Sequence, residues 1–269
     1  MPGDLHNHST CSDGSVPIHR LPLMAARAGL DTMAISDHDT LLSVNYCYEH
    51  PVQDGVRLLP ATELTGYDHE HKHRVHLLCY FPDPESRELK EHCDILRQRR
   101  NECALQSCRE IEALYPQFRT EQALEYAQDS GVLFKSGIMQ ALQQEYEQQR
   151  LKNSQEELRR RQEVITRCPE IGQYLAERQN LIFGGVRGIL NGKAVADDLP
   201  ARMDVMNKRI ADLLRQSGFQ ADYLDPVYRC KQCRDTGYVG EPIREMCPCL
   251  RSAFYARLYR DCLLYTSDA

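Results

Sequence analysis

The sequence of 269 residues lacks tryptophan, a long apolar run and an excess of positive charge. No stretch approaches the ~20 apolar residues that a membrane-spanning helix needs, and residues 1–4 contain no basic and apolar leader. We therefore expect neither membrane insertion nor secretion, and we predict a cytosolic protein. The net charge of -6 argues against a generally basic nucleic-acid-binding protein, although it leaves room for a local basic patch.

Histidine is missing from the sequence after His92, whereas all ten histidines lie at or before that position. In a chain that forms one catalytic domain, the histidine content seldom changes so abruptly from one part of the sequence to the next. We therefore predict two unrelated modules, the first ending near residue 139.

The first candidate site is a pair of imidazoles near the N-terminus, followed by a carboxylate. His6 and His8 lie two residues apart in a predicted strand, and Asp13 comes five residues later. Side chains at positions i and i+2 of a strand point to the same face, so the two imidazoles can approach one metal ion. Such a pair on its own is more often a solvated tail than half of a metal site.

Strands alternate with helical segments in the rest of this module, a pattern typical of an α/β fold with a parallel sheet. We predict a helix and three further strands over residues 16–29, 31–36, 56–64 and 73–80. Sites in such folds form at the carboxyl ends of the strands. His38, Glu63 and His76 each fall near a strand terminus, so we expect them to join the first three residues.

Mixed imidazole and carboxylate ligands suit Zn, Mn or Fe better than Mg or Ca. Metals held in this way activate water for hydrolysis and, when adjacent, clamp the oxygens of a phosphoryl group. The candidate metal-ligating and catalytic residues are His6, His8, Asp13, His38, Glu63 and His76. The histidines that we interpret as solvated rather than ligating are His19, His50, His69, His71, His73 and His92.

These motifs together resemble a known family. The segments are Asp4–Ser9 with 12–15, then 29–31 with 36–40, then 60–63, then 76–80. They resemble the PHP (polymerase and histidinol phosphatase) family of metal-dependent phosphoesterases, and within it the branch acting on nucleoside 3',5'-bisphosphates and short oligoribonucleotides. The resemblance implies a distorted (β/α)7 barrel, the six metal ligands named above, and a helical insert over residues 85–139. It also implies a small phosphorylated nucleotide as substrate.

The sequence departs from this family in its later part. The family completes its metal site with further histidines, which this sequence does not supply after His92. Gly137 stands where relatives carry an imidazole close to a basic residue, here Lys135. The resemblance covers residues 1 to about 142 and thus implies a partial barrel, an incomplete metal site and weak or absent turnover.

From residue 140 the composition shifts to glutamine, glutamate and arginine, and we predict a charged α-helical hairpin over residues 140–221. Its helices are expected over 143–167, 169–183 and 197–216. The glycine-rich run 184–194 lacks the pattern of a phosphate-binding loop, because Arg187 and Ala194 occupy two of the required places. We predict no nucleotide site.

Residues 222–262 carry two close cysteine pairs, Cys230 with Cys233 and Cys247 with Cys249. Four thiolates can close a tetrahedral Zn shell, which is a structural site without an open position for catalysis. The alternative is a set of reduced surface cysteines. The basic residues around these pairs could contact nucleic acid or an acidic protein surface.

The run 222–250 with the helix before it resembles the N-terminal segment of DnaC-type replicative helicase loaders. This implies a competing function, in which a zinc-binding module binds a replicative helicase or DNA. Two N-terminal portions of unrelated proteins suggest a chimera joined near residues 137–142. We interpret it as an artefact with no function of its own, and the alternative is a true fusion. We predict that residues 263–269 are a non-native tail.

Overall fold

The computed structural model describes residues 2–190 and 199–252 of the chain. The chain divides into two compact units. The first unit comprises the described residues up to Tyr146 and those from Gly237 onward, and the second comprises Glu147–Thr236. No helix within the described ranges combines the length and the apolar character of a membrane span. The predicted tail 263–269 and residues 191–198 lie outside the described residues.

A mixed sheet forms the centre of the first unit. Its strands are β1 (Gly3–Asn7), β2 (Thr32–Ile35), β3 (Val52–Gln53) and β4 (Val56–Asp68), in the spatial order β1-β2-β4-β3. β1 pairs with β2 and β2 with β4 in parallel, whereas β3 pairs with β4 antiparallel. The helices α1 (Leu21–Arg27) and α2 (Leu42–Glu49) connect the strands. The predicted α/β architecture is therefore confirmed.

The central strand β2 is buried over Met33, Ala34 and Ile35. A continuous buried run of this kind is typical of a parallel strand covered on both faces. Ala25 of α1 and Cys47 of α2 belong to the same apolar cluster as Met33 and Ile35. This packing fixes the strand ends from which the site residues project.

β4 is longer than we predicted, and this corrects the expected position of two site residues. Its parallel pairing with β2 ends at Pro60, but the strand continues and pairs antiparallel with β5 (His73–Tyr80). Glu63 and His76 therefore lie inside strands rather than at their termini. The prediction was wrong because the second pairing partner, β5, extends β4 beyond the parallel part of the sheet.

Helical segments follow β5, as the predicted insert requires. α3 (Arg87–Leu114) begins after Ser86, whose hydroxyl accepts a hydrogen bond from Leu89 N at 3.3 Å. α4 (Thr120–Leu124) and a short 3-10 helix follow it. α5 (Lys135–Arg167) begins earlier than predicted and contains residues 137–142, the predicted join, of which Ile138, Ala141 and Leu142 are fully buried.

The second unit is helical and contains an antiparallel pair, α6 (Pro169–Leu190) and α7 (Leu199–Gln216). Arg209 of α7 lies 3.1 Å from Glu170 near the start of α6, and Arg178 donates to Asn207 at 3.1 Å. The pair encloses an apolar cluster of Val164, Ile171, Leu175, Met206, Ile210, Leu213 and Leu214. Residues 184–190 are helical and not a loop.

The predicted zinc-binding segment is divided between the two units. Its residues up to Thr236 belong to the second unit, and those from Gly237 belong to the first. In the first unit a small ribbon pairs β6 (Tyr238–Val239) with β7 (Glu245–Met246) in an antiparallel arrangement.

Candidate metal centre

The first unit brings all six candidate ligands together. They form three overlapping groups in which the possible ligand atoms lie within 4.8 Å of one another. The groups are His6 with His8 and Glu63, His8 with Asp13 and His38, and His38 with Glu63 and His76. That these residues hold metal ions stays a prediction at this point.

Glu63 lies at the centre of the cluster and is only 6% exposed. Its Oε2 atom lies 2.7 Å from His6 Nε2 and 3.1 Å from His8 Nε2, and its Oε1 atom lies 2.8 Å from His76 Nδ1. One buried carboxylate therefore contacts three imidazoles from two separate segments of the chain.

Asp13 connects the remaining imidazole to this arrangement. Its Oδ1 atom lies 3.2 Å from His8 Nδ1, and its Oδ2 atom lies 3.8 Å from His38 Nε2. The ring centroids of His8 and His38 are 4.6 Å apart, and those of His38 and His76 are 5.1 Å apart. The rings of His8, His38 and His76 therefore lie next to one another.

The protonation of the cluster follows from burial and from the two carboxylates. Burial alone would raise the pKa of Glu63 and of Asp13, but the adjacent imidazoles outweigh it and hold both pKa values below the usual range. For His8, burial is outweighed by the hydrogen bond to Asp13 and by nearby carboxylates, which raise its pKa. Burial lowers the pKa of His38. Anionic carboxylates and a neutral imidazole are the forms that bind metals.

A buried polar atom in the cluster tests whether a metal ion fits there. His38 Nδ1 has no hydrogen-bond partner among the described residues, although a buried imidazole nitrogen normally has one. It lies 3.9 Å from Glu63 Oε2. The donor set of imidazoles and carboxylates suits a divalent transition metal. The residues present therefore fit divalent metal binding.

Asp37 fixes the loop that carries His8 and Asp13. Its side chain is fully buried and accepts hydrogen bonds from Ser9 N at 2.7 Å, Ser9 Oγ at 2.6 Å and Ser12 Oγ at 2.6 Å. Hydrogen bonds to a charged acceptor are about twice as strong as neutral ones. The buried carboxylate at the end of β2 therefore orders the loop after β1.

Gly14 closes the same loop by close approach. A Cβ atom at this position would lie 2.4 Å from the carbonyl oxygen of His8, so the backbone itself would have to move.

We expect Gly14→Ala to destabilise the protein by about 1–3 kcal/mol, the usual cost of overpacking, and to lower its metal content. Urea denaturation and metal analysis measure both effects. Gly184→Ala, in α6 at a position with room for a Cβ atom and without a positive φ, is the control for crowding. Wild-type stability and metal content in Gly14→Ala would contradict this description of the loop.

A second buried group attaches the helical insert to the strands. Arg100 of α3 donates to Asp39 Oδ2 and to Thr65 Oγ1, the latter at 2.7 Å. Asp39 Oδ1 also accepts a hydrogen bond from Thr65 N at 2.7 Å. These contacts place α3 beside the strands that carry Glu63 and His76.

A pocket of about 170 Å³ opens beside the cluster. Asp13, His38 and His76 form part of its wall, and the rest includes Phe134 and the cationic side chains Arg74, Arg100 and Lys135. The family resemblance pointed to Lys135, but the sequence motifs identified neither Arg74 nor Arg100 as a site residue. Arg74 could have been found, because it lies two residues before His76 in a strand and shares its face. Arg100 carries no comparable signal.

The remaining histidines and the scattered cysteines stay outside the cluster. His19, His50, His69, His71 and His73 are exposed as predicted. His92 is a correction, because it is half-buried in α3 and its Nε2 atom has no hydrogen-bond partner among the described residues. Burial raises the pKa of the Cys47, Cys93 and Cys108 thiols to about 12, which keeps them protonated.

The two cysteine pairs have separate local environments. In the second unit, the buried Asp235 accepts a hydrogen bond from Cys230 N at 2.7 Å and another from Asn153 Nδ2 at 2.8 Å. In the first unit, Cys247 N donates to Gly237 O at 2.8 Å, and Tyr146 Oη lies 3.3 Å from Cys249 Sγ. A zinc site formed by the four thiolates stays a prediction.

Comparison with known proteins finds a curated relative and similar solved structures. A protein from Eggerthella lenta, named phosphoribosyl 1,2-cyclic phosphate 1,2-diphosphodiesterase, is 34% identical over 143 residues. The match covers 53% of this chain and 54% of that protein, so the chain spans about half the length of the curated relative.

Two solved structures also match. A Chromobacterium violaceum amidohydrolase with bound sulfate and no metal has a TM-score of 0.48 and 22% identity, covering 53% of this chain and 49% of that one. A Bifidobacterium adolescentis protein, described as a metal-dependent phosphoesterase, has a TM-score of 0.47 and 26% identity, covering 53% and 50%.

The PHP domain family model matches residues 4–194. This region contains all six residues of the cluster and continues beyond residue 139, where we placed the end of the first module. The chain therefore belongs to the PHP domain family.

Proposed function

We propose that the first unit is a metal-dependent phosphoester hydrolase that acts on small phosphorylated nucleotides. The observation that carries this proposal is the contact of one buried carboxylate, Glu63, with His6, His8 and His76 at 2.7–3.1 Å. Family membership and the name of the Eggerthella lenta relative support the same reaction class.

Divalent metals supply two things to phosphoester hydrolysis when they are bound: a lowered pKa of water and stabilisation of charge on the phosphoryl oxygens. The chain's own side chains have other tasks. Glu63 and Asp13 orient the imidazoles, and Asp37 holds the loop that carries His8 and Asp13. The cationic side chains of the pocket attract an anionic substrate toward the cluster.

Two compounds are candidate substrates. A nucleoside 3',5'-bisphosphate fits the resemblance of the sequence motifs, and the Eggerthella lenta relative is named for a phosphoribosyl cyclic phosphate. Both are sugar phosphates, and their negative charge suits the cationic wall of the pocket. We propose Mn, Zn or Fe as the metal from the donor set.

We expect hydrolysis to be slow in this chain, because the sequence after His92 contains no histidine that could add a ligand. Phosphate release from adenosine 3',5'-bisphosphate with added Mn tests the proposal. Turnover should be metal-dependent and should disappear in His8→Ala, whereas His50→Ala, at an exposed position, should retain it. Turnover that persists in His8→Ala would exclude this site. Rapid wild-type turnover would refute the expectation of slow hydrolysis.

For the cysteines we propose one structural Zn held by Cys230, Cys233, Cys247 and Cys249, because four thiolates satisfy a closed tetrahedral site. Metal analysis should find one tightly held Zn per chain, lost in Cys230→Ser and in Cys247→Ser. Cys79→Ser, at a half-buried position in β5, should retain it. Zn retained after either of the first two substitutions would contradict the proposal.

The second candidate function is a helicase-loader-like module that binds a replicative helicase or DNA through residues 140–262. The paired cysteines and the basic residues near them support it. Binding to a purified replicative helicase that depends on Cys230 would favour this function, and its absence would exclude it. The chimeric join near residues 137–142 stays a prediction that sequencing across the source locus tests, as does the cytosolic location.

A further inference from the structure

Arg74 lies on the same face of the sheet as the metal cluster. In the antiparallel pairing of β4 with β5, Thr65 lies opposite His76, and Tyr67 lies opposite Arg74. Directly opposite residues share a face, and so do residues two apart in one strand. Glu63, His76 and Arg74 therefore project to one side, with Arg74 about 7 Å along the strand from His76.

Among the described residues, Arg74 differs from its cationic neighbour Arg100 in its side-chain contacts. Arg100 is held by Asp39 and Thr65, whereas the side chain of Arg74 makes no ion pair or hydrogen bond within the described ranges. It nevertheless lines the pocket next to Asp13, His38 and His76. Arg74 is exposed, so its guanidinium group is accessible to an anion in the pocket.

A guanidinium group binds phosphate through a fork of parallel N–H donors, which gives both orientation and affinity. Three cluster residues, Asp13, His38 and His76, form part of the pocket wall, and Arg74 forms another part. A substrate with a single phosphoester at the cluster would leave Arg74 without an anion. A substrate with a second phosphate can reach both.

We propose that Arg74 is a specificity-determining residue that binds a second phosphate of the substrate, separate from the phosphoester held at the cluster. The inference rests on the proposed hydrolase function, which already includes a nucleoside bisphosphate as candidate substrate, and it assigns Arg74 to the second phosphate of that substrate.

The kinetic test compares adenosine 3',5'-bisphosphate with the adenosine 3'- and 5'-monophosphates. In Arg74→Gln, kcat/KM for the bisphosphate should fall about 10- to 100-fold, the range for losing a hydrogen bond to a charged group, mainly through KM. The monophosphates should be little affected, and Arg74→Lys should retain part of the preference. Arg57→Gln is the matched control, since Arg57 is an exposed arginine of β4 that does not line this pocket. An equal loss for all three substrates, or no loss, would overturn the proposal.

A binding measurement separates this proposal from the hydrolase proposal. Calorimetry with Mn should show that the wild-type chain binds the bisphosphate at least about tenfold more tightly than either monophosphate, and that Arg74→Gln loses this preference. A wild-type chain that shows the preference without turnover would refute the hydrolase but retain the role of Arg74. A wild-type chain without the preference would overturn the role of Arg74 whatever its turnover.

Discussion

Replacing Glu63 with glutamine should weaken metal binding at the cluster by at least about 100-fold, because altering residues that only orient metal ligands already costs 10- to 100-fold. The substitution keeps the shape of the side chain but removes the negative charge that three imidazoles contact. Metal-dependent phosphate release should disappear with the metal. Titration of Mn into the chelator-treated protein, followed by phosphate release, measures both effects.

The control for this substitution is Glu49→Gln, an exposed glutamate at the end of α2. It changes the net charge by the same amount and should leave Mn binding at the wild-type level. If both variants bind Mn like the wild-type chain, Glu63 is not a ligand and the proposed cluster is incorrect.

Asp37→Ala should lower the free energy of unfolding by about 2–4 kcal/mol, because leaving a buried donor without its acceptor costs about 1–3 kcal/mol. Ser9 N, Ser9 Oγ and Ser12 Oγ all donate to this carboxylate. The metal content should fall as well, since the same loop carries His8 and Asp13. Urea denaturation of the metal-free protein measures the stability without a contribution from bound metal.

Two further variants test whether the loss of stability in Asp37→Ala comes from its hydrogen bonds to the loop. Ser12→Ala removes one of the three hydrogen bonds and should cost less than Asp37→Ala. Asp94→Ala removes an exposed carboxylate that pairs with Arg97 and should cost no more than about 1 kcal/mol. Equal stability of Asp37→Ala and Asp94→Ala would show that Asp37 does not order the loop.

The proximity of the six cluster residues could be predicted from the sequence, because strand periodicity and parallel pairing leave few alternative arrangements of the segments that carry them. His6 and His8 had to share a face, and the segments carrying His38 and Glu63 had to follow neighbouring parallel strands. The positions of Glu63 and His76 inside their strands were missed. That detail depends on the pairing of β4 with β5, which is a tertiary contact and not a local preference.

The cationic wall of the pocket was harder to predict. Arg100 lies in a long charged helix, where several arginines have the same local pattern, and only packing against Asp39 and Thr65 distinguishes it from them. The start of α5 was also missed, because Gly137 weakens the helical pattern. The burial of Ile138, Ala141 and Leu142 offsets that weakness.

The measurement that tests the central claim most directly is the number of Mn ions bound per chain, determined together with phosphate release in wild-type, Glu63→Gln and Cys230→Ser proteins. We expect Mn binding and any phosphate release to depend on Glu63 and to be unaffected by Cys230→Ser. A wild-type chain that binds no Mn, or that binds it equally well after Glu63→Gln, would contradict the assignment of the His6, His8, Asp13, His38, Glu63 and His76 cluster as the metal centre.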